Sequence, residues 1–313
     1  MKAYDIDLVY LWCDGSDAKF TQQKRECMQQ CGAKLRENAD CRYIQTDELK
    51  FSLRSVDMYM PWIHHIYIVT NNQIPKWFSP HEKITIVDHS EILPDTARPC
   101  FNSQALECCM HKIPNLAEHF IYANDDTFVG RKISPSFFFD RMARPIVRWV
   151  KAMPNTGLYW RTIKAAHDII LQRFGISYEN YEPHHNMDAY TKTILAGCEK
   201  EFPELFHHTI HQPFRNESCM QRILFHSLAL VKRQAVLKNV SRTFFQRVLK
   251  IMRQAYLDSL ILPNTCPLKR IEVNHPALFC INDSEDSTDE NRARALEFLK
   301  KKFPHKSFYE QED

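Results

Sequence analysis

The chain has 313 residues, 44% of them hydrophobic and 25% charged, and its formal net charge at pH 7 is only +3. This length accommodates one large domain or two smaller ones, and the composition excludes a disordered or fibrous protein. The small net charge provides no basic field of the size that nucleic-acid binding needs, so no nucleic-acid partner is predicted.

The cysteines and the apolar segments indicate the cellular compartment. Eleven cysteines are present, an odd number that includes the adjacent pair Cys108-Cys109, and the opening MKAYDIDLVY has no signal-peptide core. These features predict reduced thiols and a cytoplasmic protein. The sequence contains no run of 18 apolar residues, so no membrane-spanning helix is predicted. The basic and aromatic segment Arg141–Lys151 is compatible with peripheral attachment at the inner face of the cell membrane.

The first predicted strand is the near-continuous apolar run Ile6–Trp12, which is typical of a strand buried on both faces. It ends in the cluster Cys13-Asp14-Gly15-Ser16-Asp17, so two carboxylates and a glycine turn follow its carboxyl end. The polar stretch Ala18–Asn38 predicts a helix on the surface.

The next predicted element is a helix over Asp47–Trp62, with acidic residues in its first turn and Pro61 near its end. Its apolar side chains recur at helical spacing, at Leu49, Leu53, Val56 and Met60. Arg54 lies among them. A surface cation is the ordinary interpretation of such a residue, and contact with a ligand phosphate is the alternative.

Three further strands are predicted, and each ends in polar residues. His65–Thr70 precedes Asn71-Asn72-Gln73, Lys83–Val87 precedes Asp88-His89, and Phe120–Ala123 precedes Asn124-Asp125-Asp126. An Asx turn would explain any one of these ends. Four strands with polar ends, joined through helical segments, favour an α/β fold with a mostly parallel sheet flanked by helices. A ligand site is then expected at the carboxyl edge of that sheet.

A helix over Gln104–Ile113 follows Asn102-Ser103. Asn102 or Ser103 is a natural N-cap, and the positive end of the helix would also suit a phosphate. Capping alone is the more economical explanation of these two residues.

The apolar pattern becomes more helical after residue 140. A boundary is predicted there between an α/β part, residues 1–140, and a more helical part, residues 141–313. The predicted helices of the second part are Ile163–Phe174, Cys219–Arg253 in more than one piece, and Asn291–Phe303. The pair His184-His185 consists of metal-ligand residue types, although an ordinary loop pair is the simpler interpretation. Phe279–Asp283 repeats the pattern of an apolar run followed by Asn and Asp, and the acidic stretch Ser284–Glu290 is predicted to be solvated.

Taken together, four segments resemble the conserved regions of the Stealth proteins, a family of bacterial capsule and exopolysaccharide phosphotransferases that also includes the catalytic subunit of the N-acetylglucosamine-1-phosphotransferase. They are IDLVYLWCDGSD at Ile6–Asp17, the long section Asp47–Phe128, EPHHNMDAY to RNESCMQ at Glu182–Gln221, and FCINDSED at Phe279–Asp286.

The resemblance implies transfer of a sugar 1-phosphate from a nucleotide-sugar donor to a hydroxyl of a carbohydrate acceptor, with release of a nucleoside monophosphate. It implies that Asp125 and Asp126 hold Mg²⁺ or Mn²⁺, that Arg215 binds phosphate, and that His184 is the general base, with Asp126 also counted as catalytic. The predicted substrate-binding residues are Asp14, Gly15, Asp17, Arg54, Asn102, Ser103, Asn124 and Asn282.

Two other functions fit parts of the same sequence. A metal-dependent glycosyltransferase would use similar carboxylates but release a nucleoside diphosphate, and a polysaccharide-binding protein without activity would explain the many aromatic residues. A peripheral membrane or capsule-assembly complex is a further predicted partner. The sugar, the linkage, the number of units transferred and the oligomeric state are left open.

Overall fold

A computed structural model describes residues 4–32, 43–152, 156–220, 222–240, 257–262 and 267–311. The strands in chain order are β1 (Ile6–Leu11), β2 (Ile66–Thr70), β3 (Ile84–Asp88), β4 (His119–Asn124), β5 (Thr127–Val129), β6 (Ile146–Lys151), β7 (Tyr181–Pro183), β8 (Asp188–Thr191), β9 (Val236–Asn239), β10 (Leu257–Ile261) and β11 (Leu278–Asn282). The helices are α1 (Ala18–Cys31), α2 (Glu48–Tyr59), α3 (His89–Ile92), α4 (Ser103–Cys109), α5 (Leu158–Phe174), α6 (Lys192–Glu201), α7 (Pro203–Ile210), α8 (Arg222–Val231), α9 (Pro267–Asn274) and α10 (Asp289–Lys302).

The main sheet has five strands in the order β3-β2-β1-β4-β8. The pairs β2–β3, β1–β2 and β1–β4 are parallel, and β8 runs antiparallel to β4 at one edge. The predicted α/β fold with a mostly parallel sheet is therefore confirmed. Strand β8 comes from beyond residue 140, so the second part of the chain contributes to the same sheet. The division near residue 140 stays a prediction.

Both faces of this sheet are covered, which explains the near-continuous apolar sequence of β1. Val9 and Leu11 belong to a core cluster that includes residues of α4, α5, α6 and α8. Leu8 and Tyr10 point to the opposite face and pack in a second cluster with residues of α2. Alternation along the strand thus supplies both layers of helices with buried contacts.

Two three-stranded sheets extend the fold, with the orders β10-β11-β5 and β7-β6-β9. Strand β5 follows the turn at Asp125-Asp126 and pairs antiparallel with β11, where Phe128 lies opposite Phe279. The two rings stack with their centroids 5.0 Å apart. This pairing brings the Phe279–Asp283 segment beside the end of β4, so that Cys280 contacts Asp126 although 154 positions separate them in sequence.

The second part of the chain shows how two predicted segments fold. The segment Arg141–Lys151 contains β6, paired on both sides, with Trp149 buried and the Arg148 guanidinium 3.9 Å from the centre of the Phe137 ring. Val147 and Trp149 therefore belong to the core, whereas Met142 is exposed, and peripheral attachment of this segment to a membrane stays a prediction. Within the range predicted as helices, α8 is present, but Val236–Asn239 is a strand because it completes the sheet beside β6, and residues 241–256 lie outside the described residues.

The remaining predicted helices are present with shifted ends. Helix α1 stops at Gly32, whose φ of 63° ends the helix in a left-handed cap, and the rest of its predicted range, residues 33–38, lies outside the described residues. Helix α4 is shorter than predicted and continues as a 3₁₀ turn over Met110–Lys112. Throughout the part of the chain that is described, no helix combines the length and the hydropathy that crossing a membrane requires.

Candidate functional site

The site lies where β1 and β4 end side by side. Strand β1 is the point at which the strand order reverses, since β2 pairs with one of its edges and β4 with the other. In open parallel sheets such a switch point leaves a crevice at the carboxyl ends of the strands. Asp125 and Asp126 follow β4 at this crevice, as the sequence predicted.

Asp125 is held by a relay of side chains. The indole Nε1 of Trp12 donates to Gln45 Oε1 at 2.9 Å, and Gln45 Nε2 donates to Asp125 Oδ2 at 3.0 Å. Burial, followed by the charges of Asp125 and Asp14, raises the pKa of the neighbouring Cys13 thiol to about 12. The acidic ends of β1 and β4 are therefore close enough to act on the same thiol.

Asp126 is oriented by β11. Its main-chain carbonyl accepts from Ile281 N at 3.0 Å, and its Oδ2 accepts from the Cys280 thiol at 3.3 Å. Among the described residues, Oδ1 is buried and has no hydrogen-bond partner. One oxygen of this carboxyl group is thus fixed by the protein while the other stays available to a ligand.

The carboxylates of the site raise one another's proton affinity. Burial and then the charge of Asp125 raise the pKa of Asp126 to about 8, and burial raises the pKa of Asp125. Glu48, in the first turn of α2, has its pKa raised to about 7 by burial and by Asp125. Concentrated negative charge away from water requires a proton or a cation to balance it.

These residues fit a divalent cation. Asp126, His185 and Cys280 offer an oxygen, a nitrogen and a sulfur atom within 4.8 Å of one another, and Asp126 Oδ1 has no hydrogen-bond partner among the described residues. Asp125 adds a second carboxylate next in sequence. Because the carboxylates are hard ligands and imidazole is an intermediate one, the set suits Mn²⁺ at least as well as Mg²⁺.

Two arginines lie near the carboxylates, since Arg215 acts on the Cys13 thiol together with Asp125, and Arg222 acts on the Cys280 thiol together with Asp126. Arg222, at the start of α8, is buried and donates to Asp188 Oδ2 at 3.0 Å, and its Nη2 lies 3.5 Å from both Tyr159 Oη and the His184 carbonyl. Arg215 donates to Ser103 Oγ. Burial raises the pKa of Glu107, and the charges of Arg215 and Arg222 oppose that rise. Both arginines therefore act on one buried carboxyl group beside the site.

A chain of hydrogen bonds connects this basic side to β4. Ser103 Oγ donates to Glu107 Oε1 at 3.3 Å, and Tyr122 Oη lies 3.2 Å from the same oxygen. Tyr122 Oη also donates to Asn124 Oδ1 at 2.7 Å. The predicted binding residues Ser103 and Asn124 are thus parts of one network that reaches Arg215.

His184 and His185 lie in the turn between β7 and β8. Asn186 Nδ2 donates to His184 Nδ1 at 3.0 Å and to the Asp258 carbonyl at 3.0 Å, which places the proton of a neutral His184 on Nε2. Burial and the charge of Arg222 lower the pKa of His184 to about 4 and the pKa of His185 to about 3. Both imidazoles are therefore neutral at pH 7.

A cavity of about 330 Å³ opens onto the acidic side. Of the predicted site residues, Asp125, Asp126 and Asn282 line it. Its other lining residues are Ile44, Gln45, Glu48, Ile261, Ile281, Asp283, Ser284 and Glu285. The stretch predicted to be a solvated acidic loop thus forms one wall of this cavity, because β11 places it beside Asp126.

The carboxylates after β1 form most of their hydrogen bonds within their own turn and the cap of α1. Asp14 Oδ1 accepts from Ser16 N and Ser16 Oγ, and Asp17 Oδ1 caps α1 by accepting from Phe20 N at 2.7 Å. Gly15 is required for packing, since a Cβ there would lie 2.5 Å from the carbonyl oxygen of Tyr43. Substrate binding by these three residues stays a prediction.

Asn102 does not fit the predicted role in substrate binding. It is fully buried, its Oδ1 caps α4 through Gln104 N, and its Nδ2 lies within hydrogen-bond distance of the Gln212 and Phe214 carbonyls. Both ends of the amide are therefore used to tie the loop after α7 to α4. Helix capping, the more economical explanation, is the one that its contacts support.

Arg54 does not fit its predicted role either. Its Nε and Nη2 donate to the two carboxylate oxygens of Glu310 at 2.7 and 2.5 Å, and Nη1 donates to the Phe303 carbonyl at 2.9 Å. Its helix has the predicted register, but the C-terminal segment, distant in sequence, supplies the partner. The guanidinium is a buried clamp for the chain end rather than a ligand at the carboxyl edge of the sheet.

We expect Arg54→Met to lower the free energy of unfolding by about 3–5 kcal/mol, because the buried Glu310 carboxylate would lose its partner. Urea denaturation measures this change. The double variant Arg54→Met/Glu310→Gln should recover part of the loss. Equal stability of Arg54→Met and the wild type would show that the pair contributes nothing to the fold.

Several residues of the site were missed or underrated by sequence reasoning. Glu48 was interpreted as a helix-start acid, Cys280 as part of an apolar run, and Arg222 had no distinguishing signal within its predicted helix. Within Glu182–Gln221, the family resemblance assigned a role to His184 and none to its neighbour His185. Only the position of Glu48, at the first residue of helix α2, could have indicated its place.

A family model described as "Stealth protein CR2, conserved region 2" matches residues 42–146. The exopolysaccharide phosphotransferase CpsY of Mycobacterium leprae is 33% identical over 316 residues, covering 96% of this chain and 56% of that protein. CpsY of Mycobacterium tuberculosis (strain H37Rv) is 32% identical, covering 96% of this chain and 57% of that protein. The capsular polysaccharide phosphotransferase LcbA of Neisseria meningitidis is 42% identical over 142 residues, covering 44% of this chain and 39% of that protein.

The chain spans a little over half the length of the CpsY proteins that it matches. Among solved structures, the galactosyltransferase LgtC, determined with donor and acceptor sugar analogues, is 10% identical and covers 97% of this chain and 98% of its own, with a TM-score of 0.46.

Proposed function

Because the chain belongs to the Stealth family, we propose that it is a phosphotransferase that moves a hexose 1-phosphate, such as an N-acetylhexosamine 1-phosphate, from a nucleotide-sugar donor to a hydroxyl of a carbohydrate acceptor. The product is a phosphodiester in a capsular or exopolysaccharide, and a nucleoside monophosphate is released. The names of the matched relatives support this class of reaction.

One observation contributes most to the proposal. The carboxylates Asp125 and Asp126 lie at the switch point of a parallel sheet, and the charges of Arg215 and Arg222 are near enough to lower the pKa of His185, beside His184. Phosphoryl transfer needs this combination of a cation site, positive charge for phosphate oxygens, and a group that accepts a proton.

Asp125 and Asp126 would hold Mg²⁺ or Mn²⁺, with His185 as a further ligand. When bound, such an ion neutralises diphosphate charge and polarises the phosphorus–oxygen bond that breaks. Cys280 keeps Asp126 oriented through its thiol hydrogen bond, so that Oδ1 faces the ligand.

Arg215 binds the phosphoryl oxygens and holds the donor for in-line attack. Arg222 is hydrogen-bonded to Asp188 and contributes its positive charge without contacting the donor. Ser103, Asn124 and Asn282 position the sugar and the phosphates. The acceptor oxygen forms a bond to the phosphorus that bears the sugar, and the bridging oxygen leaves with the nucleoside monophosphate.

His184 accepts the proton of the attacking hydroxyl. Its Nε2 must present a lone pair for this step, so the neutral ring must take the tautomer that gives up its hydrogen bond from Asn186. Binding of the acceptor would drive this change of tautomer and of hydrogen bonding at His184. Residues 1–140 would bind the nucleotide sugar and the metal, and residues 141–313 would complete the same catalytic unit.

We place the enzyme in the cytoplasm, where nucleotide sugars are available, in contact with a peripheral membrane or capsule-assembly complex. The decisive experiment incubates the protein with a panel of nucleotide sugars and acceptors and identifies the released nucleotide. A nucleoside monophosphate supports phosphotransfer. A nucleoside diphosphate would instead identify a glycosyltransferase, and carbohydrate binding without turnover would identify a binding protein.

We expect Mn²⁺ affinity to weaken by about tenfold for each pH unit below about 8, since a proton on Asp126 competes with the cation for the same oxygens. Above that pH the affinity should level off. Calorimetry in buffers of different ionisation enthalpy measures both the affinity and the released proton. A Mn²⁺ affinity that stays constant across this range would place the cation elsewhere.

We expect Arg215→Ala to weaken donor affinity by about tenfold and to lower turnover as well, because the guanidinium would no longer offset phosphate charge. Equilibrium binding of the nucleotide sugar separates the two effects. Arg173→Ala is a matched control, since this exposed arginine pairs with Glu201 on α6. If both variants bind donor equally well, Arg215 is not a phosphate ligand.

A further inference from the structure

The group formed by Asp126, His185 and Cys280 contains one ligand type, a thiol, that a magnesium or manganese ion does not need. We propose that Zn²⁺ binds between these three side chains, with the Cys280 sulfur as a ligand, and that it excludes Mg²⁺ and Mn²⁺ while it is bound. The binding of zinc is independent of the reaction that the protein catalyses. The inhibition that follows from it rests on the proposed function.

The three side chains are close enough to share one ion. One ligand atom from each lies within 4.8 Å of the other two, and Cys280 Sγ is 3.3 Å from Asp126 Oδ2. In a tetrahedral site, with sulfur about 2.3 Å and oxygen about 2.1 Å from the zinc, these two atoms would be about 3.6 Å apart. A bound Zn²⁺ therefore needs the sulfur and the oxygen to separate by only about 0.3 Å.

The main chain holds Cys280 beside Asp126. Cys280 lies in the middle of β11, where it is paired with Ser259 of β10 on one side and with Thr127 of β5 on the other. The next residue, Ile281, donates its N–H to the Asp126 carbonyl at 3.0 Å. A ligand on a strand that is paired at both edges loses little freedom when it binds an ion, and this favours affinity.

The chemistry of the ligands separates zinc from the harder cations. Thiolate and imidazole ligands suit zinc, whereas magnesium prefers oxygen atoms. With Mg²⁺ the Cys280 thiol keeps its proton and donates to Asp126 Oδ2, as it does in the structure. With Zn²⁺ this proton passes to the buffer and a sulfur–zinc bond forms. Asp126 Oδ2 then loses the hydrogen bond and becomes a zinc ligand.

Two of the zinc ligands are also ligands of the proposed catalytic cation. Asp126 and His185 would hold Mg²⁺ or Mn²⁺ together with Asp125. Among the described residues, Asp125 is not a member of the group that contains Cys280, and its Oδ2 accepts from Gln45 at 3.0 Å. Because both kinds of cation need Asp126 and His185, the two compete for the site.

Cys13 provides a matched control for Cys280. Burial, and then the charges of Asp125 and Asp14, raise the pKa of its thiol, so this side chain is near the same carboxylates. Within the described part of the chain, Cys13 does not belong to the group formed with Asp126 and His185. Cys13→Ser therefore removes a thiol near the site without removing the proposed zinc ligand.

The first test uses Co²⁺, which replaces zinc in its sites and gives an intense near-ultraviolet charge-transfer band when a thiolate binds it. The full chain is titrated with Co²⁺ in a phosphine reductant, without donor or acceptor. We expect the band in the wild type and in Cys13→Ser, and its loss in Cys280→Ser. Zn²⁺ affinity, measured against a fluorescent chelator, should fall by about 100-fold in Cys280→Ser and by less than about threefold in Cys13→Ser.

The second test measures whether the two kinds of cation exclude each other. Zn²⁺ should release Mn²⁺ from the wild type, and the paramagnetic resonance signal of free Mn²⁺ reports that release. A serine hydroxyl can still donate to Asp126 Oδ2, so Cys280→Ser should bind Mn²⁺ within about fivefold of the wild type. Release of Mn²⁺ from this variant should need about 100-fold more Zn²⁺.

A wild-type Co²⁺ complex without the thiolate band would overturn the proposal, and this result does not depend on the folding of any variant. A band that persists in Cys280→Ser, equal Zn²⁺ affinity in that variant and the wild type, or Mn²⁺ that stays bound when Zn²⁺ saturates the protein would do the same. Absence of sugar-phosphate transfer with Mn²⁺ alone would refute the proposed function and leave the zinc measurements valid.

Discussion

Asp126→Asn is expected to lower kcat by about 1000-fold and to abolish tight Mn²⁺ binding, with the fold intact. The amide keeps the size of the carboxyl group and can still accept the hydrogen bond from Cys280. It removes the negative charge and offers a poor ligand in place of Oδ1. Single-turnover kinetics and Mn²⁺ titration measure the two losses.

Glu285→Gln is the matched control, because Glu285 lines the same cavity but is exposed to solvent. Its charge is screened by water, so a change of less than about fivefold is expected. A folded Asp126→Asn protein with normal turnover would show that Asp126 is not part of the cation site.

Stability provides an independent check on the same residue. The pKa of Asp126 in the folded chain is raised, by burial and by Asp125, from 3.8 to about 8. In this pH window the unfolded chain binds fewer protons than the folded one, so the metal-free wild type loses stability as pH rises from about 4 to about 8. Asp126→Asn should lack the share of this loss that comes from Asp126, and it should be the more stable protein at the upper end.

The parallel sheet could be predicted from local sequence because burial on both faces leaves a direct signature. Ile6–Trp12 and Phe120–Ala123 are apolar without alternation, and the polar residues after them mark the carboxyl ends. Strand β9 was predicted as helix because four residues such as Val236–Asn239 have no intrinsic period long enough to decide. Only pairing with β6 fixes them as a strand.

The position of a candidate site residue could be predicted only where it comes at the end of a strand. Asp125 and Asp126 follow β4 of the main sheet, and Asn282 ends β11 of a smaller sheet. Arg54 and Asn102 fit the chemistry of a phosphate site equally well, but Glu310 and the Gln212–Phe214 backbone take up their hydrogen bonds. Such partners lie more than 100 residues away in sequence, and no local pattern reveals them.

Arg222 and Cys280 show the opposite limitation. Each occurs in a segment whose apolar composition suggests only core packing, and each is buried in the structure. Arg222 acquires its role from Asp188 and the His184 carbonyl, and Cys280 from Asp126, through contacts between separate elements. Charge and orientation at this site therefore depend on tertiary structure rather than on motif spacing.

His184→Gln is expected to lower kcat by about 100-fold to 1000-fold while donor and Mn²⁺ affinities stay within about twofold of the wild type. A general base acts on the acceptor hydroxyl, so its loss leaves the phosphates and the cation undisturbed. His185→Gln is the matched comparison. Because His185 lies with Asp126 and Cys280, this substitution should weaken Mn²⁺ binding.

The pH profile distinguishes a base from a merely structural histidine. The base must be neutral, and burial with Arg222 lowers the pKa of His184 to about 4, so its protonation reduces the rate only below about pH 5. Any acid limb nearer neutrality belongs to the carboxylates, where a proton on Asp126 displaces the cation, and this limb should persist in His184→Gln. The variant should lose only the limb near pH 4. A near-normal rate with both limbs unchanged would transfer the proton-accepting role from His184 to another group, with Asp14, Asp17 and His185 the next candidates.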